Sequence, residues 1–223
     1  MFWLWDWQVA EQELKRAIEL SPDCATAHQW YAIYLATQAG QSKTEMRKAL
    51  ELDPYSIPIN ADMGQMFYFA QEYDQAIDQC QKTIAMDPDF LNAHIYLYKA
   101  YTERGMYDRA VAEYFKIQKL AGGNLLYSPA AEESLQKGYA EGGIKGFWKA
   151  RLAFLEKRSN DDLAVAEYSA RLGDKERAKK LLKQAYLKHN FDLIFINVNP
   201  VFSDLSKDAE FDRLARRICP VAR

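Results

Sequence analysis

Cysteine is scarce in this chain: Cys24, Cys80 and Cys219 are its only three, scattered through 223 residues with no CxxC pair. That excludes a disulfide framework and the paired-cysteine zinc sites, and three free thiols lean towards a reducing compartment. Charge of one sign is lacking too. The 29 Lys and Arg stand against 31 Asp and Glu, for a net −2, so the basic footprint of a nucleic-acid-binding domain is missing and no direct nucleic-acid binding is expected. No apolar run approaches the roughly 18 residues of a membrane span. The N-terminus has neither the basic region nor the cleavage site of a signal peptide. Enzyme signatures are absent as well. "EGGIKG" lacks the Lys-Ser/Thr of a phosphate loop, and neither GxSxG nor HExxH occurs. No catalytic residue, metal site or cofactor is expected, and the chain does not read as an enzyme. Localisation reads as cytoplasmic, or periplasmic if a membrane span lies upstream.

What is present is a core-forming composition, 49% apolar, organised by a repeat. Pro54 and Pro88 lie 34 residues apart, each after an Asp, in "ELDP" and "AMDP". Tyr73 and Tyr107 keep that spacing, as do Ala76 and Ala110. Each repeat holds two amphipathic segments joined by a short turn, at Gly40, at Gln71-Glu72 or at Gly105, and a closing proline stops the second helix.

This pattern resembles the tetratricopeptide repeat (TPR), a helix–turn–helix unit. Gly64, Phe67, Tyr73, Ala76, Thr83 and Pro88 fill its signature places in one repeat. Leu97, Tyr101, Gly105, Tyr107, Ala110 and Tyr114 do so in the next, with Gly122 where Pro is usual. Between Pro22 and Pro54 the period drops to 32, so the second helix of that repeat is expected to begin late and lose nearly a turn. The organisation then reads as a second helix of a truncated repeat over 1–24 and three repeats over 25–122. A divergent helical pair over 123–158, a further repeat over 159–190 and a C-terminal cap over 191–223 follow. The cap would bring Phe211, Leu214 and Ile218 inward to cover the last open face. The resemblance implies an all-α, right-handed superhelix (α-solenoid) of about five to six helix pairs with a capping helix.

Against that register "WDW" opens a second helix whose first helix is missing, with Asp6 as its N-cap. The chain is therefore expected to begin inside a repeat. Phe2, Trp3, Trp5 and Trp7 crowd this end, and the three indoles could bury roughly 450–750 Å². That much apolar surface must fold back, meet an upstream helix or meet a second molecule, and the end is expected to act as an association patch, with a homodimer as one outcome.

"WDWQVAEQELKRAIELSPDCATAHQWYAIYL", "EGGIKGFWKARL" and "VNPVFSDLSKDAEFDRL", in that order, resemble the C-terminal repeat region of bacterial winged-helix transcriptional regulators of the CadC-like type. Related signalling proteins carry similar regions. The resemblance implies a sensory or assembly module of a larger regulator, with protein or peptide binding as its activity.

First helices line the inner face of such an array. The register places Gln29, Ile33 and Thr37 there, then Ala61, Gln65, Tyr68 and Phe69, then Asn92, Ile95, Lys99, Thr102 and Glu103. Apolar, amide and single charged groups in that mixture suit an extended peptide or a helix. A clamp for a partner's C-terminal carboxylate is not expected, because Gln29, Ile33 and Asp62 occupy three of its positions without the cations it needs. His28 and His94, with Asn60 between them at the same place in the repeat, read as core-edge groups too far apart to share a metal. Two other readings stay open. One is an oligomerisation module working through the Trp-rich end, and the other a small-ligand sensor built on Tyr68, Phe69 and Tyr101.

Overall fold

A computed structural model describes residues 6–38, 42–122, 128–158 and 161–219. Phe2, Trp3, Trp5 and the turn at Gly40 lie outside the described residues. Helix is the only regular structure among those described, and by Cα proximity they divide into two compact units.

The first unit holds α1 (Trp7–Leu20), α2 (Ala25–Thr37), α3 (Ser42–Leu52), α4 (Ile57–Phe69), α5 (Tyr73–Met86), α6 (Leu91–Glu103) and α7 (Tyr107–Leu120), together with Cys219. Each start has a local cause. The Val9 N–H donates to the Asp6 carboxylate at 3.2 Å, which makes Asp6 the N-cap of α1 as expected. Pro58 sits in the first turn of α4, where its missing N–H costs nothing. The turn between α6 and α7 is made at Gly105 with φ 71°, and the matching turn between α4 and α5 at Gln71 with φ 61°. The late start expected for the shortened repeat is there: α3 has 11 residues where α5 and α7 have 14.

Helices of a repeat pack as antiparallel pairs, α2 with α3, α4 with α5 and α6 with α7. The first helices α2, α4 and α6 also pack directly on one another, whereas α3, α5 and α7 touch one another marginally or not at all. A row packed closely on one side and splayed on the other must curve, so α2, α4 and α6 form the inner face of this unit. Close approach within a repeat depends on small residues. Ala76 and Ala110 are fully buried, and a methyl group on Gly64 would stand 2.6 Å from the Cys80 sulfur.

One polar motif recurs through the unit. His28 donates from Nε2 to the Pro22 carbonyl (2.8 Å), and its Nδ1 faces Glu45 on α3 at 2.7 Å. Asn60 donates to the Pro54 carbonyl (3.0 Å) and accepts from Gln79 on α5 (2.9 Å). His94 donates to the Pro88 carbonyl (2.8 Å), and its Nδ1 meets Glu113 on α7. Each latch ties the proline that closes one repeat to the second helix of the next. An imidazole can do this while buried because both ring nitrogens find partners, so neither is left desolvated and unbonded. The core-edge role expected for the histidines is the one observed.

The second unit begins with α8 (Pro129–Arg158), a single helical run broken at Gly143, whose φ 56° and ψ −149° only glycine adopts without strain. There the chain folds back so tightly that a methyl on Gly146 would enter the Gly138 carbonyl. "EGGIKG" thus makes a helix-to-helix turn. Next come α9 (Asp162–Arg171), N-capped by Asp161, and α10 (Lys175–Leu187), N-capped by Asp174. His189 lies two residues past α10 with φ 53°, in the left-handed conformation that ends helices. Two 3₁₀ turns (Phe191–Phe195 and Pro200–Leu205) lead to α11 (Ala209–Ile218), which buries Phe211, Leu214 and Ile218 as a cap should. Lys179, only 7% exposed, holds α11 to α10 by meeting Asp208 at 2.8 Å and Glu210 at 3.3 Å, besides Glu176 on its own helix at 2.9 Å.

Candidate functional site

The inner face of the first unit is where the sequence places the binding residues. Seven of the twelve named positions are buried: Gln29, Ile33, Thr37, Ala61, Gln65, Tyr68 and Thr102. Phe69, Ile95, Lys99 and Glu103 are half-buried, and Asn92 is exposed. The cause is the direct packing of α2, α4 and α6. Side chains pointing along the row are taken into the contact between helices, and those pointing across it stay open. Tyr68 has become core, in one cluster with Leu97, Ala100 and Tyr101, and Phe69 packs against that cluster. Thr37 and Thr102 turn their hydroxyls back onto their own helices, donating to the carbonyls of Tyr34 and Tyr98.

Trp7, expected in an exposed association patch, is 6% exposed and packs against Tyr34 of α2 with ring centroids 6.1 Å apart. An indole on a second helix faces the first helix of the next repeat, which puts Trp7 in the core. The patch's other members, Phe2, Trp3 and Trp5, lie outside the described residues.

Two contacts across helices organise the face that remains. The Gln29 amide on α2 donates to the Asp62 carboxylate on α4 at 2.7 Å. Lys99 on α6 sets its ammonium 6.0 Å from the centre of the Tyr68 ring on α4, within reach of a cation–π attraction. Burial pushes the Asp62 carboxyl up to about 6, and the Gln29 hydrogen bond only partly opposes that. Gln65 stands one turn beyond Asp62, 6% exposed, and its amide makes no hydrogen bond among the described residues.

Asp62 drew notice in the sequence only as the wrong charge for a carboxylate clamp. The latch partners on the second helices, Glu45, Gln79 and Glu113, recur at intervals of 34. The signal was there, divided between a carboxylate and an amide.

Among the described residues no group of three His, Cys, Asp or Glu side chains could hold a metal ion. Burial pushes the thiols of Cys80 and Cys219 up to about 12, so they stay protonated and unreactive at neutral pH. No helix among the described residues is long and apolar enough to cross a membrane.

No protein-family model matches the chain, and no curated protein matches it. A solved structure does. PilF from Pseudomonas aeruginosa, a TPR-containing protein, superposes with a TM-score of 0.56 over 86% of this chain and 88% of that one, at 18% sequence identity. At that identity the likeness speaks to fold, and it agrees with the repeat register and the helix pairing. The chain has an all-α, TPR-like helical-repeat fold.

Proposed function

We propose that the protein is a scaffold that binds a segment of another protein along the inner face of α2, α4 and α6 and performs no chemistry itself. The observation that carries this is the Gln65 amide, nine-tenths buried on that face with no hydrogen-bond partner among the described residues. The amide tip is not among the side-chain groups shut off from solvent without a partner, so its bonding capacity is open to an incoming peptide backbone, which carries one donor and one acceptor per residue. The half-buried Phe69 and Ile95 and the exposed Asn92 supply apolar and amide contacts beside it. The sequence resemblance to the repeat region of CadC-like regulators supports a wider setting, in which this binding reports to an attached output domain.

The test is position-specific photocrosslinking in the cells that make the protein. A photoreactive residue at Asn92, on the inner face, is expected to capture one discrete partner, and one at the exposed Lys82 of α5 is expected to capture none. Equal capture from both positions, or capture from Lys82 alone, would refute an inner-face binding site.

A further inference from the structure

The geometry points to a partner segment that places a lysine or arginine against Asp62 while its backbone pairs with Gln65. This rests on the scaffold reading and names the chemistry of the partner.

Asp62 is half-buried between α2 and α4, and its hydrogen-bond partner is a neutral amide, that of Gln29. Among the described residues it forms no ion pair. Three other partly buried carboxylates of the first unit do meet a basic group: Glu45 faces His28, Glu72 faces Lys43 and Glu113 faces His94. The first helices offer Asp62 no cation in exchange. On α2 the basic side chain is His28, which is engaged in its latch. On α6 Lys99 lies over the Tyr68 ring, and Glu103 carries a charge of the same sign as Asp62. A carboxylate held out of water without a counter-charge is destabilising by itself. A cation brought by a partner relieves that, whereas an acidic partner would add to it.

Gln65 is the second, independent observation. It lies three residues from Asp62 on α4, so the two side chains project from one face roughly 5–6 Å apart. That separation suits one residue of an extended chain, its peptide group on the Gln65 amide and its charged tip on Asp62.

The experiment is selection of random dodecapeptides displayed on phage against the full chain. Binding of the selected peptides is then measured by fluorescence polarisation to wild type, Asp62→Asn and Gln65→Ala. A Lys or Arg is expected at one fixed position. Asp62→Asn should weaken that peptide about tenfold or more, the loss of one charge-assisted contact. Replacing the basic residue by norleucine should erase the difference between wild type and Asp62→Asn. Gln65→Ala should weaken the basic and the norleucine peptides alike, because it acts on the backbone. Peptides selected without a basic residue, or bound equally by Asp62→Asn, would overturn this inference and leave the scaffold reading standing. Selection that yields no binder would overturn both. Circular dichroism of Asp62→Asn guards against misfolding.

Discussion

Replacing Asp62 with Asn should make the protein more stable at neutral pH. Burial raises the carboxyl of Asp62 from 3.8 to about 6 in the folded chain. The shift is about two units, so holding the side chain ionised costs about 2–3 kcal/mol above pH 6. Because the folded pKa lies above the unfolded one, the folded state binds the proton more tightly. The penalty is therefore complete above about pH 6, shrinks as pH falls, and is gone near pH 4. Asparagine keeps an oxygen to accept from Gln29 and carries no charge at any pH. Urea unfolding of both proteins at intervals from pH 4 to pH 8 reads the effect as a difference, which cancels the titration of every other group. The two should agree near pH 4 and separate to about 2–3 kcal/mol in favour of Asp62→Asn by pH 7.5. A difference that stays flat with pH, or a variant less stable than wild type at pH 7, would refute the account of a desolvated carboxylate without a counter-charge. The result expected is the familiar exchange of stability against function at a binding site.

Three other outcomes follow from the packing. His94→Ala should cost about 3–5 kcal/mol in denaturant unfolding, since it strands Glu113 and the Pro88 carbonyl; the double variant His94→Asn with Glu113→Gln, which copies Asn60 and Gln79, should recover most of that. Gly64→Ala should destabilise by about 1–3 kcal/mol because of the Cys80 sulfur 2.6 Å from the new methyl, and Cys80→Ala in the same chain should remove most of the loss, a coupling that a double-mutant cycle measures. Lys179→Met should loosen α11, seen as faster tryptic cleavage at Arg213 and Arg216. Hydrogen bonds from Lys179 and from the Phe211 N–H hold the Asp208 carboxyl down to about 2, so that contribution is present above about pH 4 and lost as pH falls towards 2. The acid unfolding limb of Lys179→Met should accordingly start at higher pH than in wild type.

The sequence made the architecture legible through its spacing. Proline at 54 and 88 and tyrosine at 73 and 107 mark helix boundaries whatever the tertiary context, and the 32-residue interval foretold the short α3. The break at Gly143 was signalled only by the glycines of "EGGIKG", and the positive-φ backbone it takes shows in the structure alone. The depth of the inner face was not readable. Whether Tyr68 or Gln65 meets solvent depends on how closely α2, α4 and α6 approach, and that distance arises only when successive repeats stack. The Gln29–Asp62 contact was hidden for the same reason: it joins residues 33 apart on helices that are partners only in the stacked array. Local patterning reports which face of a helix is apolar, but the opening between two helices belongs to neither of them alone.

The latches carry a consequence for where the chain can change length. From closing proline to latch residue the separation is six in each repeat, Pro22 to His28, Pro54 to Asn60 and Pro88 to His94. From latch residue to its partner on the second helix it is 17 in the shortened repeat and 19 in the other two. The loop joining successive repeats is thus a fixed gauge, while the turn inside a repeat has already absorbed a two-residue deletion with its latch still closed. Grafted epitopes, fluorescent tags or protease sites should accordingly be accommodated between the helices of a pair. The same insertion a few residues earlier, between a closing proline and its latch, should pull neighbouring repeats away from each other.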